Sequence, residues 1–122
     1  MREPERDRGR LLDILEAANY IISFTEGFSL RELYADKIRY FAVEKNVEII
    51  GEAAYMLTSD FKERHPEILW HKIVAMRHTL VHGYSTVVPE TLWDTALNDV
   101  PRLKTQIEQL LAEIVPDGNQ PA

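Results

Sequence analysis

The polar residues of the stretch 70–84, WHKIVAMRHTLVHGY, do not sit where a plain amphipathic helix would put them. On a helical wheel turning about 100° per residue, with Trp70 at zero, Ile73, Val74, Leu80 and Val81 fall within about 80° of the tryptophan. Arg77 lands at about -20°, in the middle of that apolar stripe. A guanidinium does not shed its charge, so a partly buried one needs an anionic partner. His78 and His82, at about 80° and 120°, border the same ridge.

Three chemistries are open to this cluster. In the first, Arg77 is structural and pairs with a core carboxylate such as Glu48 or Glu52, and the histidines are half-exposed helix residues. In the second, His78 and His82, at i and i+4, place two imidazoles on one metal ion. The metalloprotease form of that pattern wants a glutamate after the first histidine, and Thr79 stands there instead. In the third, Arg77 and His82 handle a phosphate: the arginine binds its oxygens and the charge that develops on them, and the histidine transfers a proton near neutral pH. Five residues apart on one helix, these two side chains point about 140° away from each other. A site using both therefore calls for completion by a symmetry mate. Trp70 and Trp93 read as core or interface anchors before base-stacking platforms. Glu44, Glu48 and Glu52 form either a solvated strip or an acidic wall that would repel RNA.

The elements that must position these residues are helical throughout. Leu11, Ile14, Leu15, Ala18 and Ile22 repeat at three and four residues and predict a first helix over about Asp7 to Thr25, stopped by Gly27. Ser29 with Glu32 has the capping-box pattern and opens a second stretch to about Thr58, broken near Asp36. From Phe41 to Leu57 that stretch is apolar on most sides, apart from the strip Glu44, Glu48, Glu52 and Tyr55, which predicts a central helix. A third helix is expected from about Pro66 to Gly83 and a fourth from Pro89, carrying Leu103, Ile107, Leu110, Leu111 and Ile114. Pro101 should kink or split the fourth after Asn98 or Asp99. No two-residue alternation is present, so the expected fold class is all-α: an up-and-down bundle of four to five antiparallel helices.

The 122 residues fit one domain over 1–115, with a flexible tail at 116–122 rich in Pro, Gly, Asn and Gln. Apolar runs are short and broken by charges, so no membrane span is expected, and the first ten residues lack the apolar core of a secretory signal, which makes a cytoplasmic location the expectation. The absence of cysteine excludes disulfides, a thiolate nucleophile and cysteine-bound metals. A net charge of -6 argues against a broad basic nucleic-acid surface. That average conceals an asymmetry: residues 1–60 carry 8 basic and 12 acidic side chains, residues 61–84 carry 4 and 2, and residues 85–122 carry 2 and 6. All four histidines lie in the positive middle segment, where an anionic ligand should dock.

Arg77, four intervening residues and His82 resemble the defining element of the HEPN superfamily, and the polar residue after the arginine, here His78, is usual there. With Tyr84 the pattern Arg-x4-His-x-Tyr is similar to the HepT toxin branch, and the phrases IIGEAAYML (49–57) and TLWDTALNDVPRL (91–103) extend the resemblance over about residues 10–115. The resemblance implies a homodimeric HEPN fold and a toxin ribonuclease that uses no metal and no cofactor, its cleft lying between two protomers. His82 would act as base on a ribose 2'-hydroxyl, Arg77 would bind the scissile phosphate, and His78 would orient it or assist the leaving oxygen. Tyr84 would accept AMP from a cognate minimal nucleotidyltransferase antitoxin, which silences the toxin. The alternative is a catalytically inactive HEPN subunit that binds a nucleotide or serves as the interaction module of such a nucleotidyltransferase.

Overall fold

A computed structural model describes residues 3–82 and 88–114, with backbone alone for residues 3–5 and 82. All regular structure among the described residues is helical. Helix α1 (Glu3–Thr25) buries Leu11, Ile14, Ala17, Ala18 and Ile21 along one face. Its end is fixed locally: the Thr25 hydroxyl donates to the Ile21 carbonyl at 2.9 Å, and Gly27 turns the chain at φ +80°, a conformation open to glycine. The capping box is present, with Ser29 N–H donating to Glu32 Oε1 at 2.9 Å and Glu32 N–H to Ser29 Oγ at 3.1 Å. It starts a short α2 (Leu30–Ala35). The expected break falls at Asp36, whose carboxylate accepts from Arg39 N–H at 3.1 Å and caps α3 (Lys37–Met56).

α1 begins at Glu3, ahead of the expected Asp7, and two later boundaries also differ from the sequence expectation. A further helix, α4 (Ser59–Arg64), follows α3; Thr58 caps it, accepting from Phe61 N–H at 3.2 Å, and Lys62 Nζ turns back to the Ala54 carbonyl at 3.2 Å near the end of α3. The histidine-bearing helix α5 (Trp70–His82) then starts at Trp70 rather than near Pro66. The reason is competition for one carbonyl. His65 C=O accepts from Ile68 N–H at 3.3 Å and from the Trp70 indole N–H at 3.0 Å, so Pro66 is spent on a tight turn. The expected end at Gly83 and the tail 116–122 lie outside the described residues.

The last helical run is α6 (Pro89–Asp94), a π-helical stretch over Thr95–Asp99, and α7 (Val100–Glu113). Pro101 does not break the run, because Asp99 and Val100 keep right-handed helical dihedrals. Instead the lack of an N–H at Pro101 coincides with one widened turn, in which Val100 N–H reaches back to Thr95 C=O. Four long helical units therefore make the up-and-down bundle, with α2 and α4 as connectors. α1 packs on both α3 and α7, and α3 packs on α1 and α5, so the central position expected of α3 is shared with α1. No helix among the described residues is long and apolar enough to cross a membrane.

Asp7 fastens the open end of the α1–α3 pair. It is buried, and its two carboxylate oxygens accept from Thr58 N–H at 2.9 Å and from the Thr58 hydroxyl at 2.7 Å. Replacing it leaves those donors without their acceptor where the chain turns into α4. Asp7→Ala is expected to lower unfolding free energy by about 1–3 kcal/mol, measured by urea denaturation.

Candidate active site

Helix α5 lies on α3 with Trp70 and Leu80 buried and Ile73, Val74 and Met76 packed against the core. Val81, expected in the buried stripe, is instead exposed. The buried face is thus turned toward Leu80 and Met76, and the ridge at Arg77, Val74 and Val81 is carried to the edge of the contact. Arg77 is left with a quarter of its side chain in solvent, 25%. The histidine flank lies farther out, with His78 exposed.

The anionic partner that the guanidinium requires is Glu52. Arg77 Nε lies 2.7 Å from Glu52 Oε2, and the guanidinium carbon sits 5.5 Å from the centre of the Tyr55 ring. The Nε–H does not aim along the line of a good hydrogen bond, so the contact is an ion pair at the rim rather than a locked fork. Glu48, the other expected partner, faces Lys45 at 3.5 Å. With Nε engaged, the guanidinium remains part buried and part presented to solvent, an arrangement able to receive a phosphate oxygen.

A residue the sequence reading passed over makes this contact possible. Gly51 of α3 is buried against α5, and a Cβ added there would overlap Arg77 Cβ and lie 3.0 Å from its Cγ and 3.1 Å from its Cα. The two helices cross at a point where only a hydrogen fits. The available signal was a glycine in mid-helix, which costs about 1 kcal/mol relative to alanine and so asks for a packing reason. Tyr55, read as part of a polar strip, also proves to be a wall of the arginine's surroundings.

Glu44, Glu48, Glu52 and Tyr55 do form one strip along α3, and Glu44 and Glu48 are half-buried. Burial, and then the neighbouring Glu48, push the Glu44 carboxyl above the usual carboxylate range. Arg77 meets only the last carboxylate of that row, Glu52. His82 ends α5, and the helix backbone is continuous from Arg77 to His82, the helical context that the sequence spacing assumes. The His82 side chain and all of Tyr84 lie outside the described residues. Among the described residues no three His, Asp or Glu side chains are grouped as metal ligands. The two tryptophans are core-facing: Trp70 is buried, and Trp93 packs against the core.

Gly51→Ala should separate α3 from α5 despite its better helix propensity. A loss of about 2–3 kcal/mol in stability by denaturant titration is expected, against the gain of about 1 kcal/mol that propensity alone would give.

Comparison with known proteins adds a second line of information. Residues 14–110 match the family model described as Ribonuclease HepT-like. A protein of Thermococcus cleftensis named "Probable ribonuclease HepT" is 42% identical over 100 residues, covering 82% of this chain and 91% of the relative. A relative from Methanocaldococcus jannaschii, named as a candidate RNase, is 38% identical over 98 residues, 80% of this chain and 90% of the relative. Another, from Caldanaerobacter subterraneus and named likewise, is 33% identical over 104 residues, 85% and 93% of the two chains. No solved structure matches.

Proposed function

Because this chain belongs to the HepT-like ribonuclease family of the HEPN superfamily, we propose that it is a metal-independent endoribonuclease, the toxin of a toxin–antitoxin pair. The observation that carries this reading is the position of Arg77: a permanent cation held at the rim of a helix crossing by Glu52, with His78 beside it and His82 on the same helix. In the proposed reaction His82 takes the proton of a ribose 2'-hydroxyl. The 2'-oxygen attacks the adjacent phosphorus, the bond to the 5'-oxygen breaks, and the products are a 2',3'-cyclic phosphate and a 5'-hydroxyl end. Arg77 neutralises the charge that builds on the phosphoryl oxygens, and His78 orients the phosphate or assists proton transfer to the departing oxygen.

The divergence of Arg77 and His82 supports a homodimer in which each protomer supplies part of the cleft. A surface for the second copy adjoins the arginine. Ile38, 88% exposed, with Phe41, Ile49 and Met56, lines the outer face of α3, interrupted only by Lys45 and Glu52. Two such helices packed antiparallel about an axis between Glu48 and Ile49 would set Phe41 against Met56 and Lys45 against Glu52. That register covers the apolar stripe and brings the two Arg77 side chains toward one cleft. One observation favours the rival reading of an inactive nucleotide-binding or interaction subunit: the acidic row Glu44, Glu48 and Glu52 beside the arginine opposes a polyanion.

Activity on RNA in the presence of EDTA separates the two readings. Arg77→Ala and His82→Ala should each cut cleavage by about 10²–10⁴-fold while leaving the fold intact by circular dichroism; unchanged cleavage in His82→Ala would remove the base from the mechanism. Tyr84 is the proposed acceptor for AMP from a minimal nucleotidyltransferase antitoxin, an adduct that adds bulk and negative charge beside the cleft. Tyr84→Phe should stay toxic in cells that express the antitoxin, and rescue of those cells would contradict the modification. The chain has no cysteine, so Ile49→Cys adds a single thiol near the proposed axis. Mild oxidation should give a covalent dimer on non-reducing gels, whereas Leu12→Cys, on the exposed side of α1, should stay monomeric; the opposite pattern would exclude this pairing.

A further inference from the structure

A second cleft lies away from Arg77. It opens on the other side of α5 from His78, between α5 and α7, with α3 as its floor. α5 packs chiefly on α3 and α7 chiefly on α1, and across the rim Lys72 Nζ lies 3.8 Å from Oδ2 of Asp99, the last residue of the π-helical stretch. The cavity holds about 150 Å³ and is open to solvent. Its floor is apolar, built from Val47, Ile50, Ile68, Val100 and Leu103, all buried, with Met76 on one wall. Leu69, 52% exposed, forms an apolar lip.

The rim differs from the floor. Lys72 and Arg102 stand at the mouth with Glu67 and Asp99. Glu67 is drawn to His65 at 3.4 Å and Asp99 to Lys72, whereas Arg102 makes no ion pair with any described residue. The mouth thus carries two cations and two carboxylates, and Arg102 is the cation without a carboxylate partner among the described residues. Thr95 and Asp99, the first and last residues of the π-helical stretch, both line the cleft. The extra residue in that turn sets the rim of the opening, and such turns occur often where a helix is shaped around a ligand.

We infer that this cleft is a binding site for a small aromatic anion, with the ring against Val47, Ile50, Met76 and Leu103 and the anionic group on Arg102 and Lys72. A cavity of this size accepts one ring in contact with its apolar walls, and the cations at its mouth select a charged head over a neutral one. Aromatic carboxylates and nucleoside monophosphates share that chemistry. The site is separate from the one assigned to RNA cleavage, and its occupation is independent of whether the chain cuts RNA.

The three methionines permit a direct test, since Met76 lines the cleft, Met56 lies on the outer face of α3 and Met1 is terminal. Protein carrying ¹³C-methyl methionine is titrated by NMR with phenylacetate, with AMP, and with benzyl alcohol as the neutral counterpart. The Met76 methyl is expected to shift saturably with at least one of the two anions while Met56 stays in place; whichever anion saturates identifies the source of the ligand. Arg102→Gln, a change at an exposed side chain, should weaken that anion by about 10-fold, near 1.4 kcal/mol, and leave benzyl alcohol unaffected. Val100→Phe, which fills the floor, should abolish both responses. A Met76 signal that neither anion moves, or equal binding of the neutral compound, or an Arg102→Gln variant with unchanged affinity, would overturn the inference.

Discussion

Everything at the candidate active site depends on how closely α3 and α5 approach at Gly51. The missing side chain there is occupied by the Cβ and Cγ of Arg77, so the arginine stem is clamped between helices and its head emerges beside Glu52 and Tyr55. A helix pair separated by ordinary side chains would leave the stem free, and the guanidinium would sample many positions in water. The glycine weakens α3 locally, and what is gained is the close seating of the arginine stem against α3.

Glu52 acts on the same cation in two ways. It supplies the counter-charge that lets Arg77 sit at a partly apolar boundary, and it occupies the side of the guanidinium that the proposed phosphate would take. Its side chain is half exposed, 50%, so water screens the pair and the exchange of a carboxylate for a phosphate is cheaper than it would be in the core. The row behind it has another effect. Glu44 is half-buried, and burial first and then the neighbouring Glu48 hold its carboxyl above the usual carboxylate range.

Much of this was legible in the sequence because it follows from periodicity and local capping. The stripe on α1, the Ser29 capping box, the Asp36 break and the placing of Arg77 near an apolar face need only neighbours within four residues. What escaped depends on distant partners. α5 starts at Trp70 because an indole N–H and an amide share the His65 carbonyl, and the choice between Glu48 and Glu52 is settled by where α5 crosses α3, which Gly51 decides. Val81 illustrates the same limit: the wheel groups it with Leu80, but the rotation of α5 on its neighbour puts one inside and the other in water. Pro101 was recognised as a disturbance, yet whether a helix breaks or widens is determined by packing on both sides, and here α7 stays in register on α1.

The two flanks of α5 are thus set by one rotation. Turning the helix so that Leu80 and Met76 face inward carries Arg77 and His78 to the margin beside the acidic row, and leaves Lys72, Ile73 and Met76 along the cleft shared with α7. Ile73 and Arg77 lie one turn apart, so a change in how the cleft is filled bears on the same rigid cylinder that carries the arginine. Closely packed helices move as units rather than deforming continuously. At Gly51 no slack exists to absorb such a shift, since the two helices are already in contact through Arg77 itself. The Arg77–Glu52 pair therefore sits directly on the α3–α5 contact that Gly51 sets.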